Sequence, residues 1–532
     1  MSDPPTDAWT FPERAPALRL DAITPMAMAI GASSAILALA VADAALRGPW
    51  LDEFWTLELS DGGRGLWPLI RDGWLRDAHP PLFNAWASLL ATLGITSIPA
   101  GRLVSNLLAA GLLLLAAHRT ARRSAGQADF AAVMVLLTLS LPQAMDSFAL
   151  YRSYFWHIAA IGALALVARH VACAKADLDW RRDADLIGIA IPAAAASIGL
   201  HYVSGLFGGL LAGAIAACAF GRGLRRWTIL LLATAAVSGL FVLASLALQA
   251  PSWALEFDHV WIEPGSLTAL GVVASLAVTP FWVNMAPLAG LWLGGWTGRR
   301  FGERADTAAD VLFGILIGGV VIVGLAIVLA VHAITPIVVD RYLYAVPVLV
   351  TALVAVVAAR CVRHGVLFSL LALMAIADAA RPIVETGFRP LWRDNAGIIA
   401  GVVASCPATR VYAASGWALG PAAETRAARR EDPVFERAYR TLAASWGYEV
   451  HFLGQDQGAH ATPGACPVLL WYEHTPNDAE GDARAAIAAA GLTGLEDARL
   501  SVTRSATGFV VRADARAEDA RAVEAGGTPP EG

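Results

Sequence analysis

The sequence predicts a polytopic α-helical membrane protein of about eleven transmembrane helices, N-terminus in the cytoplasm and C-terminus outside, with a small extracytoplasmic α/β domain at its C-terminal end. Three observations carry this. Of 532 residues, 57% are hydrophobic and only 16% charged, against roughly 25% charge in an average soluble domain. The apolar residues come in long uninterrupted runs, and Lys and Arg gather in every second connection between them, as basic loops do when they stay on the cytoplasmic side. Mean hydropathy is +0.56, and the 48 Gly and 18 Trp are the small packing residues and boundary aromatics of helices solvated by lipid. This balance excludes a soluble enzyme of ordinary composition. A net charge of -5 gives no support for a nucleic-acid partner.

In chain order, residues 1–24 read as a cytoplasmic tail. Runs long enough to cross about 30 Å of hydrocarbon lie near 25–46, 102–118, 128–145, 153–171, 186–200, 203–220, 227–249, 267–293, 309–333, 342–360 and 364–380. The first is too long, and lacks the small-residue cleavage site, to be a removable signal. Pro80 to Leu93 is short, opens on two prolines and carries Asn84, so it reads as a helix lying at the interface. Fourteen basic residues mark one side: Arg119, Arg122, Arg123, Lys175, Arg181, Arg182, Arg222, Arg225, Arg226, Arg299, Arg300, Arg304, Arg360 and Arg363. On the short loops of the other side stand only Arg152 and Arg341.

Residues 25–390 thus form a transmembrane domain whose first outer loop is 47–101. Over 391–512 the pattern becomes that of a small extracytoplasmic α/β domain. TRVYAA, PVLLWY and GFVVR read as strands, with helical periodicity over 394–404 and 421–445. Residues 513–532 are acidic, rich in Gly and Pro and free of large apolar side chains, and are expected to be disordered. Of five Cys, Cys406 and Cys466 fall in the outer domain, where an oxidising compartment would permit a bridge; two reduced thiols are the alternative.

Polar residues near lipid are costly, so a cluster of them marks function. The first outer loop opens with Trp50-Leu51-Asp52-Glu53-Phe54-Trp55 and continues to Asp77-Ala78-His79-Pro80-Pro81-Leu82-Phe83. Other outer loops add Asp146, Arg152 and Tyr154; His201 and Tyr202; Glu256, Asp258, His259 and Glu263; and Asp340, Arg341 and Tyr342. A group transfer between amphiphiles needs such a set: a carboxylate to take a proton, cations to stabilise a departing phosphate. Asp177-Leu178-Asp179, by contrast, lies among basic residues on the inner side with no Rossmann pattern around it, and reads as a solvated loop.

At these residues the chain resembles the polytopic glycosyltransferases of the C-type fold, in the branch of protein O-mannosyltransferases, lipid A aminoarabinose transferases and bacterial lipopolysaccharide-modifying relatives, a glycosyltransferase family 39-like group. The acidic pair with His79-Pro80-Pro81-Leu82 carries most of the likeness. Arg102, Arg152-Ser153-Tyr154, His201-Tyr202 and Asp340-Arg341-Tyr342 carry weaker parts. It covers roughly residues 20 to 400. The resemblance implies an inverting enzyme that takes a sugar from a polyprenyl-phosphate donor and passes it to a lipid, glycan or protein acceptor at the outer leaflet of a bacterial cytoplasmic membrane.

Neighbours on a helix point about 100° apart, so only one of the two acids reaches the reacting centre; the resemblance implies Asp52 as the general base, with Glu53 as the alternative. Two solvated acids are the structural alternative. Asp77, His79, Arg152, Tyr154, His201, Tyr202, Arg341 and Tyr342 would surround the donor phosphate and sugar. Against this, Asp77 could cap the helix that follows, Arg152 and Arg341 could simply pair with Asp146 and Asp340, and His201-Tyr202 could be an aromatic anchor. Asp77 and His79 also offer ligands to a divalent metal ion, while the arginines offer neutralisation without one; both alternatives stand. A transporter or flippase of a lipid-linked or small polar substrate is the other functional class, although such proteins keep their polar groups near mid-membrane.

Overall fold

The computed structural model describes residues 25–61, 63, 65–174, 183–254, 267–280, 307–361, 365–386, 388–389, 391–419, 426–454, 457–473 and 482–516. The expectations for residues 1–24, Asp177-Leu178-Asp179, the loop with Glu256, Asp258, His259 and Glu263, and the tail beyond 516 lie outside the described residues.

The membrane region runs α1 (Pro25–Leu46), α2 (Leu51–Ser60), α3 (Leu82–Thr92), α4 (Ile98–Ala121), α5 (Ala125–Ser140), α6 (Pro142–Phe148), α7 (Tyr154–Cys173), α8 (Ala184–Gly199), α9 (Tyr202–Gly221), α10 (Arg225–Ala254), α11 (Leu267–Pro280), α12 (Thr307–His332), α13 (Ala345–Cys361) and α14 (Gly365–Thr386). Each apolar run carries a helix, and the eighth can be followed only to Pro280. Among the described residues six helices are long and apolar enough to cross a membrane, or seven if α5 and α6 form one span. The count of eleven is therefore not reached by this criterion, since α8, α11 and the apolar part of α13 are shorter. The chain is nonetheless a polytopic α-helical membrane protein with a C-terminal α/β domain.

The run 128–145 is not one straight helix. It breaks by 66° between α5 and α6, because Leu141 is extended (φ -58°, ψ 132°) ahead of Pro142, whose ring disfavours helix in the residue before it and which donates no N–H. At the basic end of the bundle Arg123 pairs with Asp183 (3.4 Å) and Asp185 (2.5 Å). There Arg222 also donates to the carbonyls of Ala172 and Ala174, satisfying the end of α7. Helix α3 is 11 residues long. Phe83, Asn84, Ala87 and Leu90 are buried, whereas Leu82, Leu89 and Leu93 are exposed, so it lies along the opposite end of the bundle beside α2.

The C-terminal domain comprises α15 (Trp392–Ser405), β1 (Arg410–Ser415), α16 (Arg426–Ser445), β2 (His451–Leu453), β3 (Ala459–His460), β4 (Val468–Glu473), α17 (Ala483–Ala489), β5 (Leu492–Thr493), β6 (Arg499–Arg504) and β7 (Gly508–Asp514). Five strands form a sheet in the order β2-β1-β4-β7-β6. β1 is parallel to β2 and β4, and β7 is antiparallel to β4 and β6. Alternation sends Val411 and Ala413 to one face and Tyr412 and Ala414 to the other. Both faces are covered, which is why β1 and β4 read as continuous apolar runs. Ala513 and Asp514 belong to β7, paired with β4 and β6, so order continues past the expected start of the tail at 513. Cys406, at the end of α15, is bonded to Cys466, with Cα atoms 5.7 Å apart.

One hydrophobic cluster joins this domain to the segment between α1 and α4: Phe54 of α2, Phe83 of α3, Trp392, Phe435, Tyr439 and Trp471. The Trp392 ring lies 5.6 Å from Phe54 and 5.7 Å from Tyr439. Arg437 adds ion pairs of 3.2 Å to Glu58 and to Asp61. The α/β domain therefore sits directly on the helix that carries Asp52 and Glu53.

Candidate active site

Helix α2 starts as the chain leaves extended geometry at Trp50 (φ -119°, ψ 156°). Both acids fall in its first turn, where the helix dipole favours negative charge. They then diverge. Glu53 is fully buried, and its two oxygens accept four hydrogen bonds: from Arg102 Nε (2.7 Å) and Nη2 (2.5 Å), and from the backbone N–H groups of Tyr151 (2.7 Å) and Trp50 (3.0 Å). Arg102, equally buried, spends its remaining protons on the carbonyls of Ala44, Arg47 and Gly48. Every lone pair of Glu53 is occupied, so it has no place for a substrate proton. As the alternative base it is corrected: it is the pin that fixes α2 to α4.

Asp52 points elsewhere, its side chain 26% exposed, with Oδ2 at 3.7 Å from Arg341 Nη1. Behind it Arg152 Nη1 donates to the Asp52 carbonyl oxygen and to Thr56 Oγ1, each at 3.3 Å. Arg341 lies over the rings of Tyr154 (6.0 Å) and Tyr342 (5.7 Å), a cation–π arrangement. For both arginines burial alone would lower the guanidinium pKa, but Asp52 and Tyr154 outweigh it and raise it. The alternative pairings fail. Asp146 is taken by Arg47 (2.7 Å) and Arg389 (3.0 Å), and Asp340 accepts the backbone N–H of Arg341 while the guanidinium faces Asp52.

Asp77 is buried between α2 and α3. It accepts from Ala78 N–H (2.8 Å), Asn84 Nδ2 (3.1 Å) and Trp55 Nε1 (3.4 Å), and Oδ1 lies 3.5 Å from His79 Nδ1. Burial pushes its carboxyl up, yet His79, Arg152 and Asn84 together hold it well below the usual range. It does not cap α3, whose first position follows Pro81 with no side-chain cap. Its task is to hold His79, which also stands 3.5 Å from Arg152 Nη2 and whose buried Nε2 has no hydrogen-bond partner.

Rings close the far side. His201 packs against Tyr342 at 4.4 Å, the rings tilted by 51°, and meets His79 at 5.2 Å. Its Nδ1 accepts the N–H of Ser204, capping α9. Burial, then the neighbouring His79, lowers its pKa well below the ordinary value, so it sits as a neutral imidazole. Tyr154 is buried with its hydroxyl unpartnered. Tyr202 donates its hydroxyl to the Gln249 amide oxygen at 2.5 Å, which ties α9 to α10. Asp52, His79, Arg152, Tyr154, His201, Arg341 and Tyr342 thus come together; Asp77 supports them, and Glu53 and Tyr202 do not face the same space.

Three residues of the cluster escape the sequence reading. His157 is fully buried, neither ring nitrogen has a partner, and its ring lies 5.9 Å from His201. The signal was its spacing, three residues after Tyr154 on the same helical face. Thr56 and Gln249 gave no comparable signal. Among the described residues no group of three His, Cys, Asp or Glu is placed to hold a metal ion.

No family model and no curated protein matches the sequence. Two solved structures are similar in fold: the crystal structure of ArnT from Cupriavidus metallidurans in the apo state, with TM-score 0.44 and 13% identity, and the same protein bound to undecaprenyl phosphate, with TM-score 0.41 and 14% identity. Each match covers 91% of this chain and 97% of that chain. Both TM-scores are below 0.5, and no step of the chemistry rests on the likeness.

Proposed function

We propose that the chain is an inverting glycosyltransferase that moves a sugar from a polyprenyl-phosphate donor to an acceptor at the outer face of the bacterial cytoplasmic membrane. The observation that carries this reading is one partly exposed carboxylate, Asp52, 3.7 Å from the Arg341 guanidinium, with Arg152 bound to the Asp52 main-chain carbonyl behind it, at the end of the bundle opposite the basic loops. Asp52 takes the proton of the acceptor hydroxyl or amine as that atom bonds to the anomeric carbon. The anomeric C–O bond breaks on the opposite face, and its electron pair leaves with the phosphate oxygen. Arg152 and Arg341 stabilise that charge, while the Nε2 of His79 faces the donor phosphate and binds it equally before and during transfer. The rings of Tyr342 and His201 supply a face for the sugar, and the domain above α2 roofs the site on the acceptor side. A transporter reading finds no support in this arrangement, because the polar groups gather at one end of the bundle and not near its middle.

Glycolipid and glycan profiling of a deletion strain tests the reading. One glycoform should vanish, return with the wild-type gene, and stay absent with an equally abundant Asp52→Asn protein. A deletion profile identical to wild type removes the proposal.

A further inference from the structure

We propose that Gln249 is the positioning residue of the segment that presents Asp77 and His79; the kinetic part of this rests on the glycosyltransferase reading, the structural part on geometry alone. Most of α10 faces outward along its apolar length, yet Gln249, near its outer end, has no exposed surface. Its Nε2 donates to the carbonyls of Trp74 (2.8 Å) and His79 (2.9 Å), and its Oε1 accepts from the Tyr202 hydroxyl (2.5 Å). Trp74 and His79 bracket Asp77, whose own N–H reaches back to the Trp74 carbonyl at 3.4 Å. One side chain thus ties α10, α9 and the outer loop at the point where His79 turns toward Arg152.

The residue type follows from the partners. Two carbonyls need two protons and a hydroxyl needs an acceptor, and only a primary amide offers both in one planar group. Glutamine has the reach, whereas glutamate would turn an oxygen against the carbonyls.

Gln249→Glu keeps size and the acceptor for Tyr202 while removing the donors; Gln249→Met serves if the first variant does not accumulate. Two readouts on the full-length protein in membranes decide. Diethyl pyrocarbonate modification of His79, followed by mass spectrometry, should run about tenfold faster in the variant, the factor that loss of the hydrogen bond to the His79 carbonyl, at about 1.4 kcal/mol, gives. Exposed His451 should be labelled as in wild type, which separates a freed segment from general unfolding. The donor KM should rise by about tenfold with kcat close to wild type, since binding of the phosphate is what the segment serves. Wild-type labelling of His79, or a loss confined to kcat, overturns the proposal. If the wild-type protein transfers no sugar at all, the glycosyltransferase reading fails separately and the labelling rate alone decides for or against Gln249.

Discussion

Asp52 and Glu53 are adjacent, acidic and on one helical turn, and their different fates come from residues far away in sequence. Arg102, 49 positions on, and the Tyr151 backbone, 98 positions on, saturate Glu53; Arg341 meets Asp52. The sequence made the pair visible, and only the family resemblance ranked Asp52 first, because helical geometry predicts divergence and not which partner waits on each side. Removing the Arg102 guanidinium leaves a buried carboxylate uncompensated, a loss of about 3–5 kcal/mol. Arg102→Leu should therefore lower the apparent melting temperature sharply in detergent, and an unchanged melting curve would contradict the structural role given to Glu53. In the C-terminal domain Glu473 makes a second residue-scale case. It is buried on β4, accepts from Asn395, Trp471 and Thr507, and burial pushes its pKa up to about 8. The protonated form is the native one, so its contribution is complete below the ordinary carboxyl range and is lost as pH rises through about 8. Melting of the wild type should drop from pH 6 to pH 9 more than melting of Glu473→Gln; parallel curves would remove this assignment.

At the scale of elements, hydropathy served well where lipid or a covered sheet imposes a long apolar run, and poorly where local chemistry interrupts one. It located α1, α4 and α7 through α10, and it read β1, β4 and β7 from their unbroken apolar stretches. It missed β2, β3 and β5, of 3, 2 and 2 residues, and β6, whose burial alternates along an edge strand, because neither length nor composition sets them apart from loops. It also missed the bend at Pro142, which a stricter reading of the residue before proline would have found. The junction between α14 and α15 is a further case: Phe388, Arg389 and Leu391 all take positive φ (58°, 34° and 48°), costly for residues with a Cβ, while Arg389 holds Asp146 and its carbonyl accepts the N–H of Gly48. The disulfide spans a separation of 60 residues, and the chain-entropy account assigns such a loop about 4 kcal/mol. Cys406→Ser with Cys466→Ser should make the C-terminal domain markedly easier to cleave by protease. Equal resistance with and without the bridge would show that the sheet alone holds it.

Across the whole molecule, the bundle has a basic end, where Arg123 and Arg222 are tied into helix termini, and an opposite end where α2, α3 and the α/β domain enclose Asp52, His79, Arg152 and Arg341. The sequence showed this polarity through its alternating arginines and showed which loops would converge. It could not show that the domain after residue 391 rests on α2 through Phe54 and Trp392, because that contact joins segments over 300 residues apart. Nor could it show His157 or Gln249, which lie within apolar runs and gain meaning only from neighbours on other helices. The most direct measurement is initial-rate sugar transfer in proteoliposomes supplied with polyprenyl-phosphate-linked sugars, comparing wild type with Asp52→Asn at matched protein and matched melting temperature. Loss of the general base should lower kcat by about 10²–10⁴-fold with the donor KM little changed; an Asp52→Asn protein that transfers sugar at the wild-type rate would contradict the account.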